Sequence, residues 1–146
     1  MKAWVGLLRS HAALTRELNA ELQRDHGLTI NDFEVLLHLS RADGGMRRVD
    51  LAESVLLTPS GITRLLNGLE AAGWVEKGVC STDARVSYAI LTDAGRVKLR
   101  DASRSHVLEI RDLFESHLTE EELTVLAELL SRLPGATDTD SEDCTS

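Results

Sequence analysis

From Thr58 to Gly73 the chain carries a full set of helix punctuation, and this stretch limits the fold more than any other. Thr58 is an N-cap whose hydroxyl can accept from the free N–H groups of a first turn. Pro59 sits at the first helical position, where its missing N–H costs nothing. Ile62, Leu65, Leu66 and Leu69 follow at i, i+3, i+4 and i+7 and form one apolar stripe. Gly73 supplies a left-handed stop. The opposite face holds Ser60, Thr63, Arg64 and Asn67 with Gly61 beside them, and no carboxylate occurs before Glu70. That absence is informative in a chain with 24 acidic and only 16 basic residues.

The chain runs on without a linker into Trp74, Val75 and Val79, then into Val86, Tyr88, Ile90 and Leu91. These are strand-forming residues flanking a turn of Ser81, Thr82, Asp83 and Ala84. Arg85 stands at the far side of that turn, where a narrow minor groove would attract it, and Asp83 can hold its guanidinium. A capped helix (58–72) followed by a basic-tipped hairpin (74–91) is the layout of a winged helix-turn-helix. The helix is then the element for the major groove, with Thr58, Pro59, Ser60, Gly61, Thr63, Arg64 and Asn67 in its first turns.

The order and spacing of several runs resemble the multiple-antibiotic-resistance regulator (MarR) family. They are Leu51-Ala52-Glu53, Thr58 to Leu65, Leu69 to Lys77, Asp83-Ala84-Arg85 and Leu91 to Gly95. Lys77 stands where arginine is commoner in that family, and Asn67 where aspartate is. The resemblance implies a homodimeric transcriptional repressor on a pseudo-palindromic operator in double-stranded DNA. It also implies that helices from both termini form the dimer, and that a small aromatic or phenolic ligand binds between those helices and the DNA lobe. Trp4, His11, Arg16 and His38 are candidate lining residues, although each better suits the interface or the surface.

Charge is partitioned along the chain. The formal net charge is −8, and only residues 46–100 are net positive. Arg47, Arg48, Arg64, Lys77 and Arg85 in that segment are the candidate DNA-facing cations, and an acidic C-terminal third would be held away from phosphates. Aromatics at 3% are too few for a base-stacking platform. No charged-then-apolar signal segment opens the chain, and no uncharged run approaches the ~20 residues a membrane helix needs. A cytoplasmic protein with two free thiols, Cys80 and Cys144, is expected.

The flanks read as helices built for pairing. Leu7, Leu14, Leu18 and Leu22 mark a first helix from Lys2 to Asp25, so residues 1–28 form an N-terminal dimerisation helix. Thr29 and Asp32 make a capping box for a helix bearing Phe33, Leu36, Leu37 and Leu39. This opens the DNA-binding lobe, residues 29–91. After a Gly44-Gly45 break, Arg47-Arg48-Val49 suggests a short strand, and Asp50 to Leu56 the first helix of the helix-turn-helix. Thr92 caps a long helix to His117 with Val107, Ile110 and Phe114 on one stripe. Thr119 to Glu122 opens a last helix bearing Leu123, Leu126, Leu129, Leu130 and Leu133, ended by Pro134-Gly135. Residues 92–135 are therefore the C-terminal dimerisation helices, and 136–146 a disordered acidic tail.

Enzymatic motifs are missing: there is no G-x-S-x-G, no phosphate-binding glycine loop and no H-E-x-x-H. The five histidines never fall within i+4 of each other, so no helix carries a local metal pair, and solvent or interface positions are expected for them. Neither a cofactor nor a metal is expected. The fold class is mostly α with a small β-hairpin wing. Two further readings stay open: a winged-helix protein-interaction module without a DNA target, and a redox-responsive regulator using Cys80.

Overall fold

The computed structural model describes residues 1–42, 45–79 and 85–134. Two compact units result, Met1–Leu108 and a second beginning at Glu109. In the first unit the order is α1 (Lys2–His26), α2 (Ile30–Arg41), β1 (Met46–Arg47), α3 (Arg48–Ser54), α4 (Pro59–Ala71), β2 (Val75–Val79) and β3 (Ser87–Leu91). α5 (Asp93–Glu115) follows, and α6 (Glu120–Ser131) belongs to the second unit.

The helix boundaries follow from their caps. α1 ends at Gly27, whose φ of 65° places it in the left-handed region. At the start of α2, Thr29 Oγ1 accepts from Asp32 N at 3.0 Å and Asp32 Oδ2 accepts from Thr29 N at 2.8 Å. Asn19 on α1 reaches across to accept from Ile30 N at 3.0 Å. Three of the orphan donors of the Thr29–Asp32 turn are thereby satisfied by side chains. A second capping box, Thr29's counterpart at Thr119 with Glu122, opens α6.

A core of leucine and valine lies under these elements. Leu22, Leu28, Val35, Leu36, Leu51 and Leu66 are fully buried, each stabilising the fold by roughly 1.5–3 kcal/mol relative to exposure. Ile62, Leu69, Val75, Ala89, Leu91, Leu99 and Ala102 complete it. α2 buries Val35 as well as the expected Phe33, Leu36 and Leu39, because it is covered on more than one side. The sheet is antiparallel in the order β1-β3-β2, with Met46 opposite Ala89 and Val75 opposite Leu91.

Two expectations are corrected, the strand at Arg47-Arg48-Val49 and the place of His106. The strand predicted at Arg47-Arg48-Val49 is Met46–Arg47, and Arg48 is already the first residue of α3. The helix gains from an early start, since Asp50 then falls in its first turn, where a carboxylate is favoured by the dipole. Within one chain α5 buries Gly95, Leu99, Ala102 and His106, and Val107, on the stripe assigned to dimerisation, is 58% exposed. At Gly95 this face lies against the Trp74 carbonyl and the Leu91 side chain. His106 is consequently a core histidine and not a solvent or interface one, with its ring 4.9 Å from that of Phe33. Burial, followed by the charge of nearby His26, lowers its pKa below the usual histidine value.

The start of α5 is a tight joint. Thr92 Oγ1 donates to Gly73 O at 2.7 Å and accepts from Gly95 N at 3.0 Å, and Thr92 N donates to Trp74 O at 3.1 Å. A Cβ on Gly95 would collide with the Trp74 carbonyl oxygen and stand 2.7 Å from Leu91 Cδ1. Lys98, one turn further along, places Nζ 4.8 Å from the centre of the Trp74 ring. No helix among the described residues is long and apolar enough to cross a membrane. The expectations for the wing tip (Cys80 to Ala84), Gly44, Gly135 and the tail from Ala136, including Cys144, lie outside the described residues.

Candidate nucleic-acid interface

α4 forms where the sequence places it. Thr58 Oγ1 accepts from Gly61 N at 3.1 Å, Pro59 is the first helical residue, and Gly73 closes the helix at φ 78°. Ile62, Leu66 and Leu69 are buried and Leu65 half-buried. That orientation turns Pro59, Ser60, Thr63, Arg64, Asn67 and Gly68 to solvent. The exposed face is free of carboxylates through Gly68, so nothing on it would repel phosphate.

Each polar group on the face has a defined capacity. Thr63 Oγ1 donates to Pro59 O at 2.8 Å, which spends its proton inside the helix and leaves lone pairs and a methyl group outward. Thr58 and Ser60 hydroxyls lie 3.2 Å apart at the N-terminus. Arg64 makes no ion pair among the described residues, so its five donors are available to an acceptor such as guanine.

Two of the candidate cations, Arg47 and Arg48, are ion-paired within the lobe. Arg47 donates through Nε and Nη2 to Asp50 at 2.6 and 2.8 Å. The Asp50 hydrogen bonds and charge hold the Arg47 pKa above its usual value. Arg48 is paired with Glu70 of α4 through Nη2, in a site where both side chains are largely covered. These two are committed within the lobe. Lys77 on β2 and Arg85 ahead of β3 are exposed, at the positions a wing would present. Asp83, the expected partner of Arg85, lies outside the described residues.

Two features escaped the sequence reading. The Arg48–Glu70 tie joins residues whose helices are hidden from each other in the linear pattern. Leu56, in the turn between α3 and α4, has a φ of 55° and is 92% exposed. A signal for it existed: only Val55 to Thr58 separates the two helices, and so short a reversal calls for a positive φ although no glycine is there. Among the described residues no cluster of three or more metal-ligating side chains occurs.

Comparison with known proteins agrees with this geometry. The model of the MarR family matches residues 26–86. The chain is 29% identical over 133 residues to the HTH-type transcriptional regulator MhqR of Bacillus subtilis (strain 168), covering 91% of this chain and 90% of that one. AbsC, a MarR family transcriptional regulator from Streptomyces coelicolor, superposes with a TM-score of 0.77 at 35% identity, over 88% of this chain and 86% of AbsC. Sco3205 from the same organism, a MarR family regulator solved in complex with DNA, gives a TM-score of 0.81 at 28% identity, over 97% and 89% of the two chains.

Proposed function

Because this chain belongs to the MarR family of transcriptional regulators, we propose that it acts in the cytoplasm as a homodimeric repressor on a pseudo-palindromic operator. A small aromatic or phenolic ligand releases it from DNA. The observation that carries the DNA-binding part is the exposed, carboxylate-free face of α4, with Arg85 also exposed ahead of β3. Sco3205, similar over nearly the whole chain, was solved on DNA.

In this reading Ser60, Thr63, Arg64 and Asn67 meet base edges in the major groove. Thr58, Pro59 and Gly61 set the backbone of the entering turn. Arg85 enters the minor groove, and Lys77 meets phosphate. Arg47 reaches phosphate only by exchanging Asp50 for it, and Arg48 serves by holding α4 in place. Pairing is supported by the apolar surface each terminal helix leaves in water. Trp4 and Leu8 on α1 are 60% and 49% exposed, and Val125 and Leu129 on α6 are 53% and 52% exposed. A second copy is the economical cover for both. A ligand releases DNA only if it prefers the spacing of recognition helices that DNA cannot accept, since equal affinity for both shifts nothing.

The test is selection of a duplex from random sequence, followed by footprinting and gel shift at two salt concentrations. The expected result is two protected half-sites about one helical turn, roughly 34–36 Å, apart, with affinity falling steeply as salt rises. A single unpaired half-site would overturn the dimer. Failure to retain any duplex at micromolar protein would overturn DNA binding and favour an interaction module. Aromatic acids and phenols that leave both the melting temperature and the operator affinity unchanged would overturn the ligand.

A further inference from the structure

Three helix ends in the unit Met1–Leu108 turn on a residue of positive φ: Gly27 at 65°, Gly73 at 78° and Leu56 at 55°. Leu56 is the exception in kind. Its turn is built like that of Gly73. At the end of α3, Leu57 N donates to Ala52 O at 2.9 Å and Leu56 N to Glu53 O at 3.2 Å. At the end of α4, Trp74 N donates to Leu69 O and Gly73 N to Glu70 O, both at 3.0 Å. This doubly bonded reversal favours glycine, because a left-handed backbone drives the Cβ of an L residue toward the following carbonyl oxygen.

Leu56 gains nothing in the free protein to offset that strain. Its side chain is 92% exposed, and the apolar contact of the turn is made by the next residue, half-buried Leu57. Neither local geometry nor the core requires a leucine here. Strain kept at an exposed position points to use by a partner. The position is two residues ahead of the N-cap Thr58, in the turn that leads into the exposed face of α4.

We propose that Leu56 is a sequence-reading contact that packs on the C5-methyl group of a thymine at the edge of each half-site. This rests on the DNA-binding reading above. A recognition helix enters the major groove by its N-terminal residues, Leu56 stands two residues ahead of the N-cap Thr58, and the thymine methyl is the apolar group that groove offers. The polar face of α4 is suited to hydrogen-bonding edges, and Leu56 adds the apolar reader beside it. Covering a leucine that water surrounds in the free protein supplies the driving force.

Two variants separate strain from recognition. Leu56→Gly removes both side chain and strain, and Leu56→Ala removes the contact while keeping a Cβ. On an operator selected from random duplexes, both are expected to bind roughly fourfold more weakly than the parent, the effect of one buried methyl-sized group. Leu56→Gly should also melt at a higher temperature than the parent. Replacing thymines by deoxyuridine one at a time should locate a position where the parent loses the same factor and Leu56→Ala loses nothing further. Unchanged affinity of both variants would overturn the contact while the parent's complex keeps the DNA reading intact. An equal loss on every duplex, whatever its thymines, would overturn base reading by Leu56. If the parent itself forms no complex with any selected duplex, the DNA reading fails and this contact falls with it.

Discussion

Arg48, the first residue of α3, is ion-paired with Glu70 in the last turn of α4, and the two side chains are only 18% and 26% exposed. The pair ties the beginning of one helix of the helix-turn-helix to the end of the other. Such a tie is expected to hold α4 against α3. Arg48 Nε is buried and meets no hydrogen-bond partner among the described residues, so the guanidinium is gripped along one edge.

Removing either partner leaves a partly buried charge without its counterion. Glu70→Ala and Arg48→Ala are each expected to cost about 1–3 kcal/mol in urea unfolding. The double variant should lose clearly less than the sum, with a coupling of about 0.5–3 kcal/mol. Glu70→Ala should also weaken operator binding, although a carboxylate makes a poor phosphate contact. Additive losses, with DNA affinity untouched, would show that the pair does not set α4.

The joint at the start of α5 makes a second prediction. Gly95→Ala forces a Cβ into the Trp74 carbonyl, backbone that cannot swing aside as a side chain would. A loss of about 2 kcal/mol or more is expected by chemical denaturation. Thr92→Val keeps the shape and removes both the donor to Gly73 O and the acceptor for Gly95 N, for about 1–2 kcal/mol. A Gly95→Ala protein as stable as the parent would mean α5 does not seat on Trp74 as described.

Stability should depend on pH through His106. Burial lowers its pKa in the folded state, so the fold favours the neutral ring while the unfolded chain takes up a proton near 6.5. The unfolded state then binds more protons below that value. Stability is full above about pH 6.5 and is lost as pH falls from there through the depressed folded pKa. Urea midpoints between about pH 5 and pH 7.5 should show this slope, and His106→Leu should flatten it. An unchanged slope in the variant would assign the dependence to a group other than His106.

The two exposed arginines should fail differently. Arg64→Ala is expected to cost about 1–3 kcal/mol on the selected operator and to relax base choice at one position in each half-site. Arg85→Ala should weaken binding across sequences, reduce the salt slope by about one, and lose most on A·T-rich flanks. Identical specificity profiles for parent and Arg64→Ala would remove Arg64 from base reading.

Much of the lobe was legible in the linear chain because its signals are local. Thr58, Pro59 and Gly73 act on backbone groups within a turn of themselves, and so do the Thr29–Asp32 and Thr119–Glu122 boxes. The period of Ile62, Leu66 and Leu69 names the buried side, and thereby leaves Ser60, Thr63, Arg64 and Asn67 outside. The strand starting at Met46 was misjudged by a residue because Arg48 suits a strand edge and a helix start about equally. Asp50 and the burial of Leu51 settle that choice.

The sequence alone thus determined where α4 begins and ends, which of its faces is apolar, and the family-like order of the runs around it. Tertiary structure decided what those residues are free to do. Arg48 and Arg64 are alike as letters, yet one is committed to Glu70, 22 positions away in the chain, and the other faces solvent. The same holds for α5, which buries Gly95, Leu99, Ala102 and His106, with Gly95 placed where a Cβ would meet the Trp74 carbonyl. Side chains report their own helix through short-range hydrogen bonds and periodicity. Partners distant in sequence are chosen by packing, which no single segment encodes.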